Sequence, residues 1–320
     1  DSGELARRLY CDAAKAVKYG VSEDEALRMI TINPARQLDI DRRVGSLEVG
    51  KDADVAIFST HPFSPDARVE MTLVDGTVYF DRAADLARRA ATPAPAAPPS
   101  EVRTAARTDA QAPASGAETV ALVGGRIVPV SGPALARGTV VISGGRIVAL
   151  GADVTPPAGA RVIDVAGQTV YPGLIDASNS IGLVEIGAVS ASVDTTETGD
   201  VNPQAQAWVA LNPHSEAIPV ARANGVTTAL AAARGGLVSG QSAVVHLAGT
   251  TPDEMTVLTP AALQVVYPSG EPEREWGGEE PEPKTLEARL EERRKGQEKQ
   301  LRRLAGLLAE ARTHAAAQQA

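Results

Sequence analysis

Apolar positions recur at helical spacing at the start of the chain. Leu5, Leu9, Ala13, Ala16 and Val17 fall on one helical face among charged neighbours, which predicts an amphipathic helix over residues 2–20. Ser22-Glu23-Asp24-Glu25 then reads as a capping box. The Ser22 hydroxyl can accept from the Glu25 amide, and Glu25 can reach back, so a second helix is expected through Ile30. Asn33-Pro34 suits an N-cap and first-turn pair for a third, short helix. Between Gly45 and Phe80 the period shifts to short β-like runs, "ADVAIF" and "VEMTLVDGTVYF". Asp75-Gly76 is a hairpin signal, since both residues tolerate positive φ.

From 84 to 116 the pattern lapses into "ATPAPAAPPS" and similar polar or Ala-rich sequence. Such a stretch buries too little apolar area to offset its ordering entropy, and it is expected to be a disordered linker. Strands resume at Thr119. "LVGGRIVPV" and "VISGGRIVAL" each place Gly-Gly between β-branched runs and predict two hairpins of one small sheet. "AIPVARANGVTTALAAARGG" reads as helix, turn, strand and Gly loop. Residues 271–283 are Glu/Pro-rich and expected to be disordered. From Thr285 to about Ala317, Leu286, Leu290, Leu301, Leu304 and Leu308 mark a charged helix. It reads as a solvated amphipathic helix, with a coiled-coil partner site as the alternative that Gly296 disfavours.

Composition narrows the function classes. With 3% aromatic residues, the core must rest on Val, Leu, Ile and Ala. The net charge of −9 argues against a non-specific nucleic-acid binder, which needs clustered cations to displace phosphate counterions. No apolar run reaches the ~18–20 residues that span a bilayer. Cys11 is the only cysteine, which excludes an internal disulfide framework, and it is expected to be a small core residue rather than a nucleophile. The chain opens at Asp1 without Met, so its start reads as cut, and the lack of a visible signal peptide leaves the compartment open.

The run "GTVVISGGRIVALG", followed by "VIDVAGQTVYPGLIDA", resembles the start of amidohydrolase-superfamily enzymes of the imidazolonepropionase-like and urease-like kind. The resemblance implies that the strand after Pro172-Gly173 opens a TIM-like barrel and that its end carries His-x-His. Those two positions are Ser178 and Ser180 here, degenerate as metal ligands. Zinc-class ions bind imidazole nitrogen at about 2.0–2.1 Å and lower the pKa of bound water to about 7, a task for which a neutral hydroxyl is a poor ligand. The remaining candidates are scattered: His61, His214, His246 and His314 never pair at metal spacing. His246, in an apolar run, reads as a satisfied strand residue. Glu185, Asp194, Glu197 and Asp200 read as caps in a solvated loop, with an acidic site as the alternative. Gly235, Gly236 and Gly240 lack the helix and lysine of a phosphate cradle.

The first eighty residues resemble the opposite end of the same superfamily. "GVSEDEALRMITINPARQLDIDRRVGSLEVGKDADVAIFSTHPFSP" is similar to a closing segment, in which the last barrel helices lead into returning strands through Gly50-Lys51-Asp52-Ala53-Asp54. "DSGELARRL" then implies that Asp1 holds the position of the metal-binding Asp that acts as general acid/base on the attacking water, in an incomplete site.

The order is thus an ending followed by a beginning, which implies either a segment of a tandem fusion or a circular permutant. The fusion fragment is preferred, because eight βα units do not fit. The expected fold is α/β: a small composite, urease-like β-sandwich, incomplete TIM-barrel fragments and a long charged C-terminal helix. The expected divisions are 1–83, 84–116, 117–172, 173–270 and 271–320. Strands at about 44–80 and 119–171 are expected to pair, since each half alone would leave an apolar face exposed.

By resemblance the parent hydrolyses C–N bonds of cyclic amides or related small substrates, using water activated by a divalent, zinc-like metal. No metal is expected on this chain, whose second module looks metal-deficient. A non-catalytic assembly protein, acting through its β domain and charged helix, is the rival reading. A homo-oligomer is a candidate state, and a periplasmic or secreted location follows from the resemblance alone.

Overall fold

The computed structural model describes residues 2–91, 118–268 and 285–319. They divide into two compact units. The larger takes in Asp1–Thr195, Gln206–Ala232 and Ser242–Ala262, and the smaller takes in Thr196–Ala205, Ala233–Gln241 and Leu263–Ala320.

The larger unit begins with α1 (Ser2–Lys18), α2 (Glu23–Met29) and α3 (Ile32–Gln37). The N-cap half of the capping box forms at the start of α2, where the Glu25 amide donates to Ser22 Oγ at 3.2 Å. Glu25 reaches back to the Ser22 hydroxyl, Ser22 Oγ donating to Glu25 Oε2 at 3.0 Å, and not to the Ser22 backbone amide. Asn33-Pro34 lies inside α3 rather than capping it, and Thr31 is the N-cap. Proline fits there because amides of the first turn have no intrahelical acceptor to lose. Cys11 is exposed on α1, contrary to its expected core position. Its neighbours explain this, since Ala13 takes the buried position on that helix.

Next come β1 (Val55–Phe58), β2 (Val69–Val74), β3 (Thr77–Asp81) and α4 (Arg82–Ala91). Asp75 and Gly76 turn the β2–β3 hairpin with φ of 47° and 73°, as the Asp-Gly signal predicts. Helix α4 runs into the stretch read as linker from 84. Alanine buries little but is the best helix former, Asp81 Oδ1 accepts from the Ala84 amide, and Asp85 pairs with Arg88 and Arg89 one turn on. The rest of that stretch, 92–116, and the Glu/Pro-rich segment 271–283 lie outside the described residues.

After residue 118 the chain adds β4 (Val120–Val123), β5 (Arg126–Ile127), β6 (Thr139–Ser143), β7 (Arg146–Gly151), β8 (Arg161–Asp164) and β9 (Thr169–Pro172). One sheet has the order β3-β2-β1-β9-β5 and a second the order β7-β6-β4-β8. Strand β1 lies antiparallel to both β2 and β9, with Val55 opposite Leu73 and Pro172. Segments on either side of residues 92–117 therefore share one sheet. Val55, Ile57 and Leu73 from one sheet and Val120, Leu122, Val140, Ile142 and Ile147 from the other close a common aliphatic core.

Only one of the two expected Gly-Gly hairpins forms. Gly144 and Gly145 both take positive φ and join β6 to β7. At Gly124-Gly125 only the first glycine has positive φ, and β4 and β5 belong to different sheets. The chain turns a corner there. A Cβ on Gly125 would lie 2.8 Å from the Val165 carbonyl, so the close approach, not a turn, demands the second glycine.

A third sheet follows. It comprises β10 (Leu174–Asn179), β11 (Val226–Ala231), β12 (Val238–His246) and β13 (Thr256–Val265), with α5 (Ala217–Arg222) between β10 and β11 and α6 (Pro252–Met255) before β13. β10 and β11 are parallel, but β12 is antiparallel to β11. Where a barrel fragment is expected, the described residues show one parallel βαβ pair followed by an antiparallel strand, which is not a barrel's all-parallel pattern. Alternation assigns the two faces. Leu174, Ala229, Ala231, Ala243 and Val245 join a core with residues of α1 and α5, and Ile175, Leu230 and Val244 pack with Ala35, Leu38, Ile40 and Val44. Few aromatics enter, but Phe58 stands edge-on to both Tyr10 and Tyr171 in the first of these cores.

In the smaller unit, the Asp200 carbonyl accepts from the Leu237 and Val238 amides at 2.7 and 3.0 Å. The Asp200 carboxylate also accepts from the Leu237 amide at 2.8 Å and pairs with Arg303 on the long helix α7 (Leu286–Gln319). Gln297 of that helix donates to the Pro268 carbonyl at 3.0 Å. Leu286, Leu290 and Leu308 are exposed along it.

Candidate functional site

The third sheet has two chemically different ends. Register defines them: Leu174 lies beside Val226 where the parallel pair starts, and Asn179 lies beside Ala231 where it finishes. Ligands in parallel α/β sheets gather beyond the carboxyl ends of the strands, so the finish of β10 is the first place to look.

That end carries Asp176, Ser178, Asn179 and Ser180. Asp176 Oδ1 accepts from the Ser178 amide at 3.2 Å, and Oδ2 accepts from Asn179 Nδ2 at 2.5 Å. Asn179 is wholly buried, and its Oδ1 has no hydrogen-bond partner among the described residues. Ser178 is exposed and Ser180 is buried. Helix α1 packs against β10, but Asp1, the proposed acid/base, lies outside the described residues.

The donors offered are two hydroxyls, one carboxamide oxygen and a carboxylate that already accepts two N–H bonds. A zinc-class ion favours imidazole or thiolate, so this donor set does not fit it. The acidic run gives no alternative. Glu185 accepts from Asn212 at 3.0 Å in the larger unit, Asp200 is engaged within the smaller, and these acids form no common cluster among the described residues.

The other end holds a charge cluster that the sequence reading missed. Asp52 and Asp54 sit two apart in an extended run, which places both carboxyls on one side. The Asp52 amide donates to the Arg43 carbonyl, the Ala53 amide to Gly145, and the Gly173 amide to the Asp54 carbonyl, each within 2.9 Å. These bonds set the run against the β6–β7 turn and the start of β10. Asp52, 4% exposed, receives Arg43 through Nε at 2.8 Å and Arg146 at 3.0 Å.

Asp54, 3% exposed, accepts from the Asp75 amide at 3.0 Å and from Thr228 Oγ1 at 3.2 Å. His246, on β12 opposite Thr228, lies between two acids: Nδ1 is 3.1 Å from Asp75 Oδ2, and Nε2 is 3.5 Å from Asp54 Oδ2. Its expected role as a satisfied strand residue is met at Nδ1 alone, since the buried Nε2 has no hydrogen-bond partner among the described residues and faces Asp54 only as an ion pair.

Electrostatics favour a protonated ring. Burial opposes the imidazolium, but Asp54 and the hydrogen-bonded Asp75 outweigh it and raise His246 from 6.5 to about 9. Burial pushes the Asp54 carboxyl up, against the pull of His246. Burial also acts upward on Asp75, yet the bond and charge of His246 hold it below its usual range. Asp52, Asp75 and His246 bring ligand atoms within 4.8 Å of one another. A cation there would have to expel a tightly held proton and displace two guanidinium groups from Asp52. Arg43, Arg146 and the His246 ring already face these acids, so a further cation would meet a cluster that holds its own positive groups.

The other histidines stay apart. His61 Nδ1 accepts from the Phe63 amide at 3.3 Å, and its ring stands edge-on to Tyr171. His214 lies in an exposed turn, and His314 is on α7.

Residues 2–79 match the amidohydrolase family. Among curated proteins, amidohydrolase tasK of Hapsidospora irregularis is 33% identical over 76 residues, covering 24% of this chain and 8% of that protein. Adenine deaminase 4 of Rhizobium meliloti (strain 1021) is 40% identical over 63 residues, 20% of this chain and 10% of its own. N-substituted formamide deformylase of Arthrobacter pascens is 33% identical over 84 residues, 24% of this chain and 16% of its own. A solved amidohydrolase from Thermotoga maritima MSB8 is 29% identical, with a TM-score of 0.43 over 46% of this chain and 38% of that one. The matched stretches thus span no more than 16% of these three curated relatives.

Proposed function

Since the chain belongs to the amidohydrolase superfamily, a hydrolytic family, we propose that it is the junction of a larger tandem hydrolase, closing one module at 1–83 and opening a second at 117–270. The names adenine deaminase and N-substituted formamide deformylase both denote cleavage of a C–N bond, and that is the reaction class proposed for the parent. The pairing of β1 with β9 supports a β domain built from both modules.

The observation that carries the reading is the finish of β10. There Ser178 and Ser180 stand where the resemblance puts imidazoles, and Asp176 is already bonded to the Ser178 amide and to Asn179. The second module is therefore metal-deficient and the chain alone inactive. When present in the parent, a divalent metal would supply activated water; the residues here orient no such step. Metal analysis of the dialysed chain tests this. Far less than one zinc, nickel or manganese per chain is expected, and one tightly held ion per chain would overturn the reading.

A non-catalytic assembly role is the second reading, favoured by the exposed Leu286, Leu290 and Leu308 on α7. Sedimentation with and without residues 285–319 distinguishes it: an oligomer that dissociates on deletion supports assembly through this helix.

A further inference from the structure

We propose that His246 is a proton-dependent clasp, whose imidazolium ties the β2–β3 hairpin tip and the entry to β1 onto the end of β12. The geometry is that of a bridge. One ring nitrogen faces Asp75 at the hairpin tip and the other faces Asp54 before β1, 171 and 192 positions away in the chain. Every charged group around the ring has a place in the arrangement. Arg43 and Arg146 are both bound to Asp52 on its two oxygens, which leaves His246 as the cation bonded to Asp75 and closest to Asp54. Thr228 supplies a neutral hydrogen bond to Asp54. Nδ1 is hydrogen-bonded to Asp75, whereas Nε2 stands 3.5 Å from Asp54 without a hydrogen bond, so the Asp54 side of the bridge is held by the charge of the ring and deprotonation releases it. The path for the proton is short, because the Asp75 side chain is 51% exposed while the His246 side chain is 4% exposed.

The cluster sits where the parallel strands begin, away from the strand finish at Asn179. In α/β folds that end serves stability rather than chemistry. The inference therefore does not depend on whether β10 once held a metal.

The direction of the pH effect follows from the raised value. With the ring at about 9 when folded and 6.5 ordinarily, the clasp contributes in full below about 6.5 and is lost as pH rises through about 9. Asp75 adds an acid limit: its depressed value means that its contribution is present above 3.8 and disappears as pH falls below that. Asp54, raised by burial, works against folding once ionised, and His246 offsets part of that cost.

Two measurements on the full chain test the clasp. Thermal unfolding of wild type and His246→Gln should differ by about 5 °C at pH 6.5, and the gap should close towards pH 10. In the histidine-labelled wild type, nitrogen NMR at pH 8 should show the ring assigned to His246 as an imidazolium. The NMR decides the matter even if the variant fails to fold. A neutral His246 ring at pH 8, or a gap that does not change with pH, would overturn the proposal. So would a rise in wild-type Tm on adding zinc that His246→Gln abolishes, since the cluster would then be a metal site.

Discussion

The two ends of the β10–β13 sheet use polar residues in opposite ways. At the finish of β10, Asp176 accepts from Ser178 and Asn179, two and three residues on, and the Asn179 carboxamide oxygen is left without a described hydrogen-bond partner. At the other end, six titratable or charged groups from distant segments converge and pair with one another. The first end is the one proposed to have lost its metal ligands. The second has strong side-chain chemistry in a position that supports the fold. Titratable residues alone are therefore a poor guide to activity, and their place in the sheet is a better one.

Four substitutions probe that contrast by denaturant unfolding at neutral pH. His246→Ala should cost most, about 3–5 kcal/mol, since it leaves Asp54 buried without its cation. A loss under about 1 kcal/mol would place the two ends on an equal footing. Gly76→Ala should cost about 1–3 kcal/mol, because a Cβ there meets Ile142 Cγ2 at 2.7 Å and φ is 73°. It tests whether the hairpin tip must hold its shape for Asp75 to reach the ring. Asp75→Asn should cost less than about 1 kcal/mol, since solvent screens this half-exposed acid. Its clearer mark is a flatter stability curve below about pH 4, with the His246 titration moved to lower pH. Ser178→Ala, at the exposed position on β10, should stay within about 0.5 kcal/mol of wild type and leave metal content unchanged. A larger effect would reveal a role at the strand finish that the hydroxyl alone performs.

Local signals in the sequence were dependable where one bond pattern decides the outcome. The Ser22 cap, the Asp75-Gly76 turn and the helix–turn–strand order of α5 and β11 are all readable, because each depends on residues within a few positions. Gly124-Gly125 reads like Gly144-Gly145 and behaves differently, since the distinction rests on the Val165 carbonyl packed against it. Asn33-Pro34 likewise yields its capping place to Thr31. The charge cluster was hidden for a related reason. Asp52, Asp54, Asp75 and His246 each have an ordinary local explanation, and only the tertiary pairing of β1, the hairpin and β12 makes them neighbours. The one available hint was the pair of acids two apart in an extended run, entering a strand that is buried throughout.

The corner at Gly124-Gly125 also constrains how the β domain opens. Eight residues, 120–127, place β4 in one sheet and β5 in the other. Ile127 and Leu122 meet in the same aliphatic core. Neither sheet can peel away without pulling on the other through this short tie, so the two should open as one cooperative unit. Amide exchange would record this as a shared opening free energy for Ala121, Leu122 and Ile57, in place of separate values for each layer.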